Sequence, residues 1–101
     1  MGSTPQVFSF NPARLFGLYP QKGTIAADSD ADIVVFDPNK DVTIHHNNMH
    51  SRQDWELFEG VKVKGWPTMT LSRGEVIVEN GKVLGQAGRG KLLKRKRFTV
   101  M

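Results

Sequence analysis

At 101 residues the chain suits one small domain and is far too short for a (β/α)8 barrel, which takes roughly 250. Its 39% hydrophobic and 24% charged content fits a folded domain, no apolar run approaches the roughly 18 residues of a membrane span, and the lack of cysteine removes disulfides, thiolate metal sites and a cysteine nucleophile. The net charge of +4 is uneven, because the segment from Arg89 onward carries six basic residues and no acidic one.

In chain order, residues 1–10 read as an irregular start with an apolar Val7, Phe8 and Phe10 cluster. Asn11 is a natural N-cap and Pro12 suits a first helical position, which predicts a short helix from Pro12 to Phe16 stopped by Gly17. Gly23 and the Asp28-Ser-Asp-Ala-Asp32 cluster punctuate a turn region. The run Ile33-Val-Val-Phe36 then has the signature of a buried strand, and Val42 and Ile44 around Thr43 suggest a second short strand. Polar loop sequence is expected from about His45 to Asp54.

The last third carries the clearest alternation. Val61 and Val63 interleave with Lys62 and Lys64, Thr68 to Ser72 alternates, Arg73-Gly74 turns, and Glu75 to Glu79 is followed by the hairpin signal Asn80-Gly81 and Lys82-Val-Leu84. The fold class read from this is mainly β: a small antiparallel sheet or incomplete β-sandwich of about five or six strands, with one short N-terminal helix. The expected division is a start over 1–10, a β-rich domain over 11–88 and a basic tail over 89–101.

Several runs together resemble a known family. Asn11-Pro-Ala-Arg-Leu-Phe-Gly-Leu-Tyr-Pro20, Lys22-Gly-Thr-Ile25, Asp28 to Asp37, Phe58-Glu-Gly-Val-Lys-Val-Lys-Gly-Trp-Pro67, Leu71-Ser-Arg-Gly-Glu75 and Gly88-Arg-Gly-Lys-Leu-Leu-Lys-Arg95 resemble, in order, the C-terminal stretch of cyclic amidohydrolases of the dihydropyrimidinase and hydantoinase type. The resemblance implies a zinc-dependent parent enzyme that opens cyclic amides such as dihydropyrimidines or hydantoins. It also implies that the catalytic barrel, with its zinc ligands, lies outside the matched segment. The family's His-x-His strand and carboxylated lysine have no match here, so the chain alone is expected to be inactive, with a structural and assembly role. Family members usually have Ser or Thr just ahead of the Asn-Pro-Ala-Arg run, where this chain has Ser9-Phe10.

Candidate sites are few. His45, His46 and His50 fall within six residues and are the one cluster that invites a metal, yet no Asp or Glu lies inside it, the nearest in sequence being taken as Asp41 and Asp54. A surface role is the plainer reading, and no metal ligand, cofactor site or catalytic residue is assigned. Asp28, Asp30 and Asp32 alternate as in a calcium loop, but Ile33 replaces the required Gly and Asn39 the closing Glu, so they read as turn and strand-start residues. Trp55, Leu57, Phe58 and Trp66 are candidate interface anchors, and Lys91, Lys94 and Arg95 candidate contacts to an acidic neighbouring surface. Expected partners are a second copy or the remainder of an amidohydrolase subunit in the cytoplasm, with no membrane and no nucleic acid. The alternative is a non-enzymatic module that binds a protein or polyanion through the sheet and basic tail.

Overall fold

The computed structural model describes residues 5–97. Residues 1–4 of the irregular start and 98–101 of the basic tail lie outside the described residues. The described chain is mainly β, with one short α-helix, α1 (Asn11–Leu15), and one open four-stranded antiparallel sheet of β1 (Ile33–Thr43), β2 (Lys62–Ser72), β3 (Glu75–Glu79) and β4 (Lys82–Val83) in the order β1-β2-β3-β4. No (β/α)8 barrel is present in a chain of 101 residues.

Asn11 is not the N-cap expected from its sequence. A π-helical turn over Gln6–Phe10 runs directly into α1, so Asn11 is already helical and its N–H donates to the Gln6 carbonyl. Pro12 falls at this junction, where the wide i→i+5 turns before it ease the clash its ring would make in a regular helix interior. After α1 the Ala13 carbonyl accepts from both Leu18 and Tyr19 N–H, at 2.8 and 3.1 Å, and Gly17 takes the positive φ of 75° that ends the helix.

The sheet has fewer strands than the alternation suggests because two pairs of expected strands are fused. In β1 the Ile33–Phe36 and Val42–Thr43 stretches are one strand interrupted by a loop-out, since Asp37 pairs with Trp66 and Asp41 with Lys64, leaving Gly65 alone opposite Pro38, Asn39 and Lys40. The Asp37 carboxylate accepts the Asn39 N–H at 2.9 Å and holds that loop. Gly65 has φ 100°, and a side chain there would lie 2.6 Å from the Phe36 ring, so the aromatic face takes the space that the missing Cβ leaves.

β2 is continuous through Pro67, an unusual residue for a strand paired on both sides. The register explains it. Val35 pairs with Met69 and Phe36 with Pro67, so Thr68 is an extra, bulged residue, and its hydroxyl donates to the Val35 carbonyl at 3.2 Å. Both hairpin turns are two-residue loops with two positive φ values, 49° and 80° at Arg73-Gly74 and 49° and 80° at Asn80-Gly81. That is the I′ geometry that matches strand twist.

The chain divides into two compact units. The first contains α1, the connection to Asp32, the Ser72–Glu75 turn and the tail from Gln86; the second contains Ile33–Leu71 and Val76–Gly85. Among the described residues only Ala13 and Gly17 are buried. The expectation of a buried Ile33–Phe36 strand is therefore corrected: Val34, Val35 and Phe36 are 57%, 45% and 55% exposed. β1 is an edge strand, and Val34, Val35 and Phe36 stay exposed on it among the described residues.

Candidate functional site

The second unit gathers the chain's chemistry at one end of the β1–β2 pair. Beyond the ladder the pairing continues, with Ile44 N–H donating to Val61 O at 2.9 Å and Gly60 N–H to Ile44 O at 2.8 Å. Residues leaving β1 thus lie beside residues entering β2. His45 and His46 come off the first strand, and Glu59 belongs to the tight turn before the second, where Glu59 N–H donates to Glu56 O at 3.1 Å and Gly60 has φ 84°.

The segment after β1 is not a plain loop. His46–Asn48 forms a 3-10 turn capped by His45, whose Nδ1 accepts the Asn47 N–H at 3.2 Å, while the Asn48 side chain accepts the His45 N–H at 3.1 Å and donates to Thr43 O at 2.9 Å. Glu59 is the acidic partner that the histidine cluster lacks in sequence. Its Oε2 accepts the His46 N–H at 2.8 Å, and its Oε1 lies 3.0 Å from His45 Nε2 and 3.1 Å from His46 Nδ1. The two rings stack with centroids 4.3 Å apart.

These contacts favour one tautomer of each neutral ring. Because His45 Nδ1 accepts from a backbone amide, the proton of the neutral ring sits on Nε2 and points to Glu59; His46 likewise donates from Nδ1. Glu59 pays a desolvation penalty that favours the neutral acid, but the hydrogen bonds from the His46 ring and backbone, with the two imidazoles nearby, outweigh it and lower its pKa. Two imidazole nitrogens and one carboxylate oxygen within 4.8 Å of one another are, in kind, a donor set for a divalent ion such as the metal of amidohydrolases. His50 is exposed and stands outside this group.

The aromatic candidates lie on the same connection and on β2. Trp55 and Phe58 are 58% and 57% exposed, Leu57 is 75% exposed, and Trp66 is half-buried opposite Asp37. In the first unit the described part of the basic tail, 89–97, is held at Arg89 and at Lys96. Arg89 reaches Glu75 Oε2 at 2.9 Å and Ser72 O at 2.8 Å, and Arg73 donates to the Arg89 carbonyl. Lys96 N–H donates to Gly17 O at 2.8 Å. Lys91, Lys94 and Arg95 are left exposed between the two anchors. Lys22 holds Asp32 at 2.6 Å and Asp30 at 2.9 Å, so two of the three alternating aspartates are ion-paired.

The amidohydrolase family profile matches residues 5–77. The chain belongs to the amidohydrolase family. It is 46% identical over 93 residues to the D-hydantoinase of Ralstonia pickettii, covering 92% of this chain and 20% of that protein. It is also 46% identical over 99 residues to the D-phenylhydantoinase of Escherichia coli K12 strain DH10B, covering 94% of this chain and 22% of the relative. Among solved structures, the dihydropyrimidinase of Brevibacillus agri NCHU1002 superposes with a TM-score of 0.84 at 46% identity, over 92% of this chain and 20% of that one. This amidohydrolase chain therefore spans about a fifth of the length of the relatives it matches.

Proposed function

We propose that the chain is the C-terminal structural and assembly domain of a cytoplasmic cyclic amidohydrolase whose whole form hydrolyses cyclic amides of the hydantoin or dihydropyrimidine class. The observation that carries this reading is the combination of a hydantoinase-like fold with an apolar sheet left open. A domain with this much exposed Val, Leu and Phe surface is a part that gains its stability from a covering surface, at about 1.5–3 kcal/mol for each such side chain fully buried. In the relatives, the four-fifths of the length that this chain does not span would be a natural cover.

In the whole enzyme a bound zinc would lower the pKa of water to about 7 and so supply the hydroxide that attacks the ring. This chain's contribution is positional: its sheet supports the remainder of the subunit, and Trp55, Phe58 and Trp66 with the Lys91, Lys94 and Arg95 tail meet a neighbouring surface. No residue of the chain is assigned a catalytic step.

The test is a chimera in which this chain replaces the matched segment of Ralstonia pickettii D-hydantoinase. The chimera is expected to keep the relative's ring-opening activity and substrate preference, while the isolated chain opens no hydantoin ring in zinc-supplemented buffer. Ring opening by the isolated chain would overturn the proposal.

A second reading rests on the exposed Lys91, Lys94 and Arg95, which a polyanion could use. It requires binding to heparin that falls steeply with salt and is lost when these three are changed to Gln. Binding indifferent to both changes removes it.

A further inference from the structure

We propose that His45, His46 and Glu59 bind one divalent transition ion of the zinc type, as a site belonging to this chain itself. The inference goes beyond the structural and assembly role and stands or falls separately from it. Its basis is convergence. Three donors from two segments 13 residues apart are brought together by the β1–β2 register, and both imidazole nitrogens already point at one carboxylate oxygen, from 3.0 and 3.1 Å.

An ion with ligand bonds of about 2.0–2.2 Å in tetrahedral geometry separates its donor atoms by about 3.4 Å. The two nitrogen-to-carboxylate distances need to open by only a few tenths of an ångström to admit one, and the stacked rings, 29° from parallel, must splay so that both nitrogens face it. The 3-10 turn limits how far it can drift, because the Asn48 side chain is held between the His45 N–H and the Thr43 carbonyl and Glu59 Oε2 is tied to the His46 backbone N–H at 2.8 Å. Two imidazoles and a carboxylate favour zinc, nickel or copper over calcium or magnesium, which prefer all-oxygen shells. With His45, His46 and Glu59 side chains 47%, 30% and 37% exposed, water completes the coordination.

Binding carries a specific signature. In the hydrogen-bonded state His45 holds its proton on Nε2 and His46 on Nδ1, and those are the nitrogens an ion would take. A neutral ring that gives this nitrogen to the ion carries its proton on the opposite nitrogen instead. His45 Nδ1 then becomes a donor and can no longer accept the Asn47 N–H. Metal occupancy and this cap therefore exclude one another, and the Asn47 amide reports the exchange.

The test titrates zinc chloride into the chelator-stripped chain, following stoichiometry by elemental analysis and calorimetry, and the ring and amide nitrogens by 15N NMR. One ion per chain at micromolar zinc is expected, with tautomer exchange at His45 and His46, a shift at the Asn47 amide, and no response at His50. Glu59→Gln keeps an oxygen that can accept the His46 N–H but removes the charged ligand, and should weaken binding about tenfold or more. His50→Ala should leave it unchanged. Zinc binding absent at millimolar zinc, unaffected by Glu59→Gln, or accompanied by ring shifts at His50 in place of His45 and His46 would overturn the site.

Discussion

Two glycines with nearly the same backbone separate conformational cost from steric cost. Gly17 and Gly81 have φ 75° and 80°, so alanine at either carries the left-handed penalty of about 1–2 kcal/mol. At Gly81 nothing lies within 4 Å of an added Cβ, and that penalty is the whole expected effect. At Gly17 the added Cβ would sit 1.8 Å from the Lys96 carbonyl oxygen, a backbone atom that cannot rotate away. Gly17→Ala should therefore cost more than Gly81→Ala in urea denaturation. It should also release the Lys96 amide to rapid hydrogen exchange, whereas Gly81→Ala leaves that amide protected. Equal losses of stability with Lys96 still protected would mean that the tail does not rest on Gly17. Sequence reading saw Gly17 only as a helix stop; its second role depends on a residue 79 positions away, beyond the reach of local pattern.

At the scale of elements, turns were legible and strand boundaries were not. Arg73-Gly74 and Asn80-Gly81 declare themselves because few residues tolerate positive φ at both turn positions. The fusion of strands across Pro38–Lys40 and Thr68 was hidden because bulges depend on the partner strand's register. Glu59 was missed for the same reason. The available signal was the pairing of Val42 and Thr43 with Val63 and Lys62, which sets the ends of β1 and β2 side by side. Burial of Ile33–Phe36 was misread because a continuous apolar run states that a strand wants cover, not that its own chain supplies it.

The Lys22 cluster gives this scale its pH prediction. Hydrogen bonding to Lys22 holds the Asp32 and Asp30 carboxyls below their ordinary pKa, and the Arg73 N–H adds to this at Asp32. Burial opposes the charge on Lys22, but the hydrogen bonds to the two aspartates prevail and raise its pKa. A carboxyl with a lowered folded pKa stabilises the fold above its unfolded value of about 3.9 and loses that contribution as pH falls through the folded value. The raised lysine contributes below about 10.4 and loses its share as pH climbs through the folded value. Stability should thus fall on acidification below about pH 4 and again in strong alkali. Screened by solvent, the Lys22–Asp32 pair is worth about 0.2–1 kcal/mol. Asp32→Asn should flatten the acid limb of a urea-midpoint profile; an unchanged limb would assign it to other carboxylates.

For the whole molecule, the decisive fact is that a family fold buries only Ala13 and Gly17 among its described residues. Fifteen large hydrophobic residues are exposed among the described residues, and β1 offers eleven residues of edge with Val34, Val35 and Phe36 upon it. Such an edge pairs with another strand when one is within reach. In isolation a second copy offers such a strand. The chain should therefore sediment as a dimer or larger species whose mass falls on dilution, and Val35→Lys, which places a charge on the edge, should shift it toward monomer. The same substitution in the hydantoinase chimera should weaken the fit of the segment to its host and lower thermal stability. A folded monomer over a wide concentration range would show that the open sheet needs no cover, and would leave the assembly role without its physical basis.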